Sequence, residues 1–166
     1  QQELLQAIET HGKLMEIPAG EKIIDVGQYV KIIPLVTKGA IKVMREDENG
    51  DELFLYFLYP GQTCAMTLQC CRANHASEVK AIAEEDTTLI AVPITLMEEW
   101  TKKFTNWNQF VLNSYNERMY EMLKTIDSVV FQKLDERLLE YLREKAAIAK
   151  STLLHLSHAQ IASDLH

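Results

Sequence analysis

The 166-residue sequence has few basic residues for its length and no long apolar run. Seventeen lysines and arginines stand against 24 aspartates and glutamates, which gives a formal net charge of −7. A free-standing nucleic-acid binder usually has a basic surface, so any DNA-reading element in this sequence must be small or missing. No apolar run approaches the roughly 20 residues of a membrane-spanning helix. Since no secretory signal peptide is recognisable at the start, we expect a cytoplasmic protein with no membrane partner.

The sequence is equally short of cysteine and histidine, with three of the former and five of the latter. An odd number of cysteines does not fit the disulfide framework of a small secreted protein. His75 is the single histidine between residues 16 and 93, so this region lacks the histidine cluster that a cupin-type enzyme needs for its metal. No Ser-His-Asp set, P-loop or Gly-x-Gly-x-x-Gly motif is recognisable. We therefore predict that the protein is not an enzyme.

Residues 17–93 read as a series of short β-branched runs separated by turn residues. The runs are KII (22–24), KIIPLV (31–36), AIKVMR (40–45), ELFLYFL (52–58), SEVKAIA (77–83) and TLIAV (88–92). Asn49-Gly50 lies between two of these runs and predicts a hairpin, since both residues tolerate positive φ. Regularly spaced strands of this kind are typical of a sandwich or a barrel-like roll. Before them, the apolar residues of positions 1–15, up to Leu14, predict a short amphipathic helix.

The apolar period changes to that of a helix after Pro93. A stripe at three- and four-residue steps comprises Phe104, Trp107, Val111, Tyr115, Met119, Met122, Ile126 and Val130. A second set, Phe110, Leu112, Leu123 and Val129, widens the stripe. A helix that is apolar on two sides must bury both, either against its own domain alone or against the roll and the same helix of a second subunit. We predict a homodimer with an interface formed by Val111, Tyr115, Met119, Met122 and Ile126.

Two further helices are predicted towards the C-terminus. Asp135 is in position to cap a helix whose buried side is marked by Leu138 and Leu142. Ser157 is a second candidate N-cap, and a helix is predicted after it over residues 158–165. The sequence ends within this second helical unit.

In this order the parts resemble those of the Crp/Fnr family of bacterial transcription regulators. The best-matched stretches are PAGEKIIDVGQ, LVTKGAIKVMREDENGDELFLYFLYPGQ, LDERLLEYL and LSHAQIASDLH. The resemblance implies an α+β chain with an antiparallel β-roll (a jelly-roll or double-stranded β-helix of the cyclic-nucleotide-binding kind), a long dimerisation helix and the beginning of a helix-turn-helix domain. The corresponding ranges are a sensor roll with its N-terminal helix (1–98), the dimerisation helix (99–132) and an incomplete winged helix-turn-helix domain (133–166).

The resemblance also implies how the protein works. A small signal binds the roll, the long helices form the dimer, and a recognition helix from each subunit enters the major groove of a palindromic DNA site. Ser157, His158 and Gln160 belong to the first helix of the helix-turn-helix, whereas the recognition helix is absent from the sequence. We therefore expect a truncated chain whose missing part is basic. The full-length protein should bind DNA, and this chain should not bind it specifically.

The sequence departs from the family where the cyclic-nucleotide-binding members hold their ligand. Those members pair the phosphate with helix N–H groups and an arginine that precedes a small hydroxyl residue, and a Gly-Glu pair supplies a carboxylate for the ribose. The Gly-Glu positions correspond to Ala65 and Met66, and the Arg-Ser positions to His75 and Ala76. Because the charged partners are gone, we predict that cyclic AMP does not bind usefully, and the effector stays unidentified. The candidate ligand pocket comprises Ala65, Met66, Thr67, His75, Ala76 and Ser77.

All three cysteines lie in this divergent stretch, within CAMTLQCC at residues 64–71. As small hydrophobes they suit packing under the roll or the lining of a pocket. As thiolates, Cys64, Cys70 and Cys71 could join His75 around zinc or an iron–sulfur cluster, although Cys-x5-Cys-Cys-x3-His is not an established ligand spacing. As a redox switch, Cys71 could pair with Cys70 in a strained vicinal disulfide, or with Cys64 after a rearrangement. The sequence leaves packing, metal binding and redox switching open.

The function predicted from these observations is that of a DNA-binding transcription regulator. Its β-roll senses a small signal and repositions a C-terminal helix-turn-helix. The alternative is a stand-alone ligand- or metal-binding β-roll that acts through protein contacts. A continuation of the sequence rich in serine, arginine and lysine would distinguish the regulator from this module.

Overall fold

The computed structural model describes residues 2–47, 50, 52–68, 75–131 and 134–165, and of residues 128–131 it describes the backbone alone. The strands are β1 (Lys13–Ile17), β2 (Lys22–Ile24), β3 (Ile32–Lys38), β4 (Ile41–Glu46), β5 (Glu52–Leu58), β6 (Lys80–Ala83) and β7 (Thr87–Pro93). The helices are α1 (Gln2–His11), α2 (Met97–Lys103), α3 (Thr105–Phe131), α4 (Leu134–Ala149) and α5 (His158–Leu165). No helix in this described part of the chain combines the length and apolarity needed to cross a membrane.

The strands form two antiparallel sheets that pack face to face. One sheet has the strand order β1-β7-β3, and the other has the order β2-β6-β4-β5. Ile41 and Leu58 of the second sheet share one apolar core with Val36 and Leu89 of the first. Burial of each such side chain stabilises the fold by about 1.5–3 kcal/mol. The predicted α+β class and the antiparallel β-roll are therefore confirmed.

The strand positions follow the runs of the sequence closely. β2 and β5 have the predicted bounds, and the other predicted runs each overlap a strand. β4 and β5 pair antiparallel from Ile41 opposite Leu58 to Glu46 opposite Glu52, which confirms the predicted hairpin. The Gly50 N–H closes its turn by donating to the Asp47 carbonyl at 3.1 Å, while Asn49 lies outside the described residues.

The predicted N-terminal helix over residues 1–15 is wrong at its C-terminal end. α1 ends one residue before Gly12, β1 begins one residue after it, and β1 pairs along its length with β7. The Gly12 N–H donates to the Ile8 carbonyl at 2.7 Å, and a Cβ on Gly12 would lie 2.5 Å from Ile90 Cγ2. The chain can turn from helix to strand this closely because Gly12 has no side chain. Leu14, which the sequence assigns to the helix, is consequently a strand residue.

The predicted long helix is divided at Phe104, which separates α2 from α3. Phe104 has an extended backbone, with a φ of −115° and a ψ of 106°. Its buried ring packs edge-on against Trp100 at a centroid distance of 6.0 Å. Trp100 also packs against Trp107 of α3 at 5.2 Å, again edge-on. Burial of these three rings against the roll compensates for the hydrogen bonds that a continuous helix would make.

The two predicted helix caps near the C-terminus have different outcomes. The sequence predicts Asp135 as the cap of α4, but α4 begins at Leu134 and Asp135 lies in its first turn. A carboxylate in a first turn still interacts favourably with the helix dipole. At α5 the predicted cap is confirmed, because Ser157 Oγ accepts the Gln160 N–H at 3.1 Å. The Gln160 side chain in turn accepts the Ser157 N–H at 2.9 Å, which completes a capping box.

Gly39, in the turn between β3 and β4, closely approaches the chain at the start of β7. It has a φ of +86°, and a Cβ there would lie 2.6 Å from Thr87 Oγ1 and 2.7 Å from the Asp86 carbonyl oxygen. We expect Gly39→Ala to lower the free energy of unfolding by about 3 kcal/mol or more, since the left-handed backbone costs about 1–2 kcal/mol and the clash adds to it. Urea denaturation measures this loss.

Gly61→Ala is the matched control for Gly39→Ala. Gly61 has a similar φ of +88°, but a Cβ there would meet open space. This variant should therefore lose only about 1–2 kcal/mol, the cost of the backbone conformation alone. Equal losses in the two variants would contradict the close approach of Gly39 to Thr87.

Candidate functional site

A cavity of about 930 Å³ lies between the two sheets of the roll. Its volume is in the range of small-molecule binding sites. The inner wall is at most 4% exposed and includes Ile41, Leu58, Cys64, Ala81 and Ala91. The outer wall is exposed and includes His11, Lys13, Gln28, Tyr29 and Lys31. The cavity therefore has an apolar floor and a polar, partly cationic opening.

The first three predicted pocket residues lie in a short helical segment beside the core of the roll. Ala65, Met66 and Thr67 belong to a helical turn over residues 65–68, which the Leu68 N–H closes by donating to the Cys64 carbonyl at 3.2 Å. Thr67 lines the cavity, whereas Ala65 is buried and Met66 packs against the core of the roll.

The second half of the predicted pocket lies away from the cavity lining. His75 is exposed, and Ala76 forms an isolated antiparallel bridge with Tyr29. Ser77 is buried, and its hydroxyl donates to the Val79 carbonyl at 2.8 Å. Of the six predicted pocket residues, the structure brings Thr67 to the cavity described above.

Cys64 is the cysteine that the structure describes, since Cys70 and Cys71 lie outside the described residues. Cys64 is 2% exposed, belongs to the core of the roll and lines the inner wall of the cavity. Among the described residues, no three histidine, cysteine, aspartate or glutamate side chains are grouped as metal ligands would be. Packing and pocket lining thus account for Cys64. The metal and redox sets, which need Cys70 and Cys71, stay predictions.

Tyr56 connects Cys64 to the long helix α3. Its hydroxyl lies 3.7 Å from Cys64 Sγ, and burial raises the pKa of Tyr56 well above its ordinary value, so the hydroxyl keeps its proton. The Arg118 guanidinium of α3 lies 4.3 Å from the centre of the Tyr56 ring and forms an ion pair with Glu121. Burial raises the pKa of Glu121, although Arg118 opposes this shift. A nearly buried cation therefore bridges the roll and α3.

Helix α3 presents two distinct faces. The face towards the roll is at most 6% exposed and comprises Trp107, Val111, Ser114 and Arg118. The other face consists of large apolar residues that are 48–65% exposed, namely Leu112, Met119, Tyr120, Met122, Leu123 and Ile126. At about 100° per residue the centres of the two sets lie about 120° apart around the helix axis. We call the second set the exposed face of α3.

The predicted dimer interface divides between these faces. Met119, Met122 and Ile126 belong to the exposed face. Val111 instead packs in a core cluster of its own subunit, and Tyr115 packs partly buried against the same cluster. The apolar stripe in the sequence includes residues of both faces of α3, because both faces have apolar residues at helical spacing.

Helices α4 and α5 pack on the outer face of the larger sheet through an ion pair. Lys42 of β4 alternates with the inward-facing Ile41, so its side chain points away from the core. Its Nζ donates to Asp164 Oδ1 of α5 at 2.6 Å, with 15% of the lysine and 8% of the aspartate side chain exposed. The Tyr141 hydroxyl of α4 donates to the other Asp164 oxygen at 2.7 Å. Burial, followed by this hydrogen bond, raises the pKa of Tyr141, so it stays a donor.

An apolar contact lies beside this ion pair. Ile148 of α4 packs with Ala40 and Phe57 of the roll. Lys145 of α4 lies 5.2 Å from the centre of the Phe57 ring and forms an ion pair with Glu84. We call this combined surface, with Lys42, Asp164 and Tyr141, the roll–helix seam.

Sequence reasoning missed both the seam and the outer wall of the cavity. The alternation in AIKVMR indicates that Lys42 points outwards, but its partner Asp164 lies 122 residues later in the chain. Lys13 and Lys31 are ordinary surface lysines in the sequence, and only the arrangement of β1 and β3 on either side of β7 brings them to one cavity. No local sequence pattern indicates the Lys42–Asp164 ion pair or the approach of Lys13 and Lys31 to one cavity.

Comparison with known proteins places this geometry in a family. The sequence matches the cyclic nucleotide-binding domain over residues 14–103, which is more than half of the chain. No curated protein matches the sequence significantly.

Solved structures share the fold over nearly the whole chain. A regulator of the Crp/Fnr family from Eubacterium rectale, described as a putative transcriptional regulator, superposes with a TM-score of 0.87 at 21% identity, covering 99% of this chain and 76% of that one. The c-di-GMP responsive global regulator CLP of Xanthomonas campestris gives 0.79 at 12% identity, covering 99% and 84%. The catabolite activator protein of Thermus thermophilus gives 0.63 at 21% identity, covering 98% and 80%.

At these identities the structural likeness establishes the fold, and the sequence match establishes the family. The predicted resemblance is thereby confirmed. The chain belongs to the cyclic nucleotide-binding domain family and has the fold of the Crp/Fnr transcription regulators.

Proposed function

We propose that the protein is a homodimeric transcription regulator whose roll binds a small signal other than cyclic AMP and so repositions a C-terminal helix-turn-helix. The observation that carries this proposal is the roll–helix seam. Lys42 and Asp164 form an ion pair between a strand of the sensing roll and the capped helix α5, which begins the predicted helix-turn-helix. A shift of β4 on ligand binding would therefore act directly on α5.

The proposed division of labour follows the three predicted ranges. Residues 1–98 sense the signal, residues 99–132 dimerise, and residues 133–166 begin the DNA-binding domain. Within the last range, Ser157 and Gln160 form the capping box of α5, next to His158. In the natural protein we expect a recognition helix to follow this range and to contact DNA. We expect the protein to act in the cytoplasm.

The proposed homodimer is supported by the exposed face of α3. Six large apolar side chains, each 48–65% exposed, lie along a 27-residue helix, and monomeric proteins rarely expose an apolar surface of this kind. A second copy of the same helix offers a self-complementary cover for such a patch. Arg118 on the face towards the roll would carry changes in the roll to this interface.

The exclusion of cyclic AMP is supported by the turn at residues 65–68. In place of a Gly-Glu pair, this turn presents the buried Ala65 and the partly buried Met66. His75 and Ala76 stand where an arginine and a serine are expected, and neither supplies a bidentate contact to a phosphate. A cyclic phosphate and a ribose would find no charged partner at these positions.

The test is a binding-site selection from random duplex DNA with the natural gene product. A homodimeric helix-turn-helix protein should enrich a two-fold symmetric sequence whose half-sites are centred about one helical turn apart, roughly 10 base pairs. The 166-residue chain alone should enrich no sequence. Failure of the natural protein to enrich any site would overturn the proposed regulator and favour a ligand-binding module that acts through protein contacts.

A further inference from the structure

The charges around the roll cavity differ from those of the rest of the chain. The chain carries 24 acidic residues, yet no aspartate or glutamate is among the described residues that line the cavity. The lining includes two lysines, Lys13 and Lys31, with His11 beside them. The chain as a whole is acidic, yet the described lining of this cavity carries positive charge and no carboxylate. This charge distribution favours an anion as the ligand.

The apolar and the charged residues of the lining lie in different parts of the cavity. The buried side chains of Ile41, Leu58 and Ala91 form the floor, whereas Lys13 and Lys31 are exposed at the opening. An apolar group gains from burial against the floor. A charged group on the same ligand would remain at the opening, where water and the two ammonium groups stabilise it.

Lys13 and Lys31 are the two lysines that the described lining of this cavity offers to a ligand. Neither side chain forms an ion pair or hydrogen bond with a residue in the described part of the chain. By contrast, several cations elsewhere around the roll are already engaged. Lys42 pairs with Asp164, Lys80 with Glu52, and Arg118 with Glu121.

We propose that the cavity binds a small organic carboxylate with an apolar body, whose charge is held by Lys13 and Lys31. Lysine offers a point charge, which suits a single carboxylate. The described lining contains no arginine, the residue that makes the bidentate contact favoured by a phosphate. The inference rests on the proposed sensing role of the roll and names the chemical class of its signal. It also moves the charge-binding residues from positions 65–77 to the outer wall of the cavity, to which β1 and the loop before β3 contribute Lys13 and Lys31.

Octanoate and octanol are a matched pair of probes, because they share an apolar chain and differ in the charge. Isothermal titration calorimetry with the 166-residue chain should show octanoate binding with one site per chain. Octanol should bind at least about ten-fold more weakly, since it lacks the two charge contacts. Cyclic AMP should give no binding. Methyl NMR should place the octanoate-induced shifts at Met15, Ile23, Ile24 and Ile41, which line the cavity.

Lysine variants test the assigned charge contacts. Lys13→Gln with Lys31→Gln should weaken octanoate binding by about ten-fold and leave octanol binding unchanged. Lys38→Gln with Lys102→Gln is the matched control, because both lysines are exposed, lie outside the cavity lining and change the net charge equally. The control should bind octanoate as the wild type does. All four substituted side chains are on the surface, and equal thermal midpoints would show that the variants fold.

Each of five results would overturn the inference. Equal affinity for octanoate and octanol, or unchanged octanoate binding in the Lys13 and Lys31 variant, would remove the role of the charge. Binding of neither probe, or shifts confined to the exposed face of α3, would remove the cavity as the site. If cyclic AMP binds and octanoate does not, the ligand site would be assigned to residues 65–77. The DNA-site selection tests the regulator separately from the ligand class. Of these results, cyclic AMP binding alone would also contradict the proposed function, in its exclusion of that ligand.

Discussion

Met119→Glu should convert the protein from a dimer into a monomer of 19.0 kDa. Met119 is 65% exposed in the single chain and belongs to the exposed face of α3. The proposed dimer buries two copies of this side chain, and an unpaired carboxylate in such a place costs several kcal/mol. We expect a total loss of about 4 kcal/mol, which raises the dissociation constant of the dimer by about three orders of magnitude. Sedimentation equilibrium over a range of concentrations measures this change.

Asn113→Glu is the matched control for Met119→Glu. It adds the same charge to the same helix, at an exposed polar position outside the exposed apolar face, where Asn113 accepts a hydrogen bond from Gln109 at 2.8 Å. We expect this variant to remain a dimer with the wild-type dissociation constant. A wild type that sediments as a monomer throughout, or a Met119→Glu variant that still dimerises, would contradict the assigned interface.

Asp164→Asn should release α5 from the roll while leaving the roll folded. The substitution removes the counter-charge of Lys42, whose side chain is 15% exposed, and weakens the acceptor of the Tyr141 hydroxyl. Breaking a buried ion pair by removing one partner costs about 3 kcal/mol or more. Amide hydrogen exchange should therefore accelerate about a hundred-fold in α5, since 1.36 kcal/mol corresponds to a factor of ten. Exchange in β3 and β7 should stay unchanged.

Two further variants separate the buried ion pair from a general charge effect. Asp25→Asn removes the partner of Lys22 in an exposed pair, and exchange in α5 should not respond to it. Lys42→Gln combined with Asp164→Asn replaces both charges by neutral amides, so it should restore much of the protection of α5. Unchanged exchange in the Asp164→Asn variant would show that the seam does not hold α5, and would remove the main support for coupling between roll and helix-turn-helix.

Most strands of the roll could be predicted because each of them has a local sequence pattern. ELFLYFL and KII have β-branched and aromatic residues between turn residues, and both form strands over the predicted bounds. The errors occurred where a long-range contact decides the backbone. Leu14 fits an amphipathic helix, but pairing of β1 with β7 and the close approach of Gly12 to Ile90 draw it into a sheet.

The candidate site was predicted only in part, because it too depends on contacts between residues far apart in the sequence. The loss of cyclic-nucleotide residues could be recognised from Ala65 and Met66, because those positions are close to the turn that aligns them. The cavity joins Thr67 to Lys13 and Lys31, which are more than 30 residues away in the chain. Nothing in the local sequence of a surface lysine shows that it lines a cavity, since this depends on which strand becomes its neighbour.

The sequence by itself determined the order of the parts, the positions of most strands, the capped start of α5 and the family. These features depend on periodicity, turn residues and hydrogen bonds within a few positions, so they are encoded locally. The tertiary structure alone decided which side of α3 faces the roll and where it breaks, because Trp100, Phe104 and Trp107 gain more from packing together than from a straight helix. It alone also joined Lys42 to Asp164, because electrostatic contacts between distant segments exist only after the segments pack.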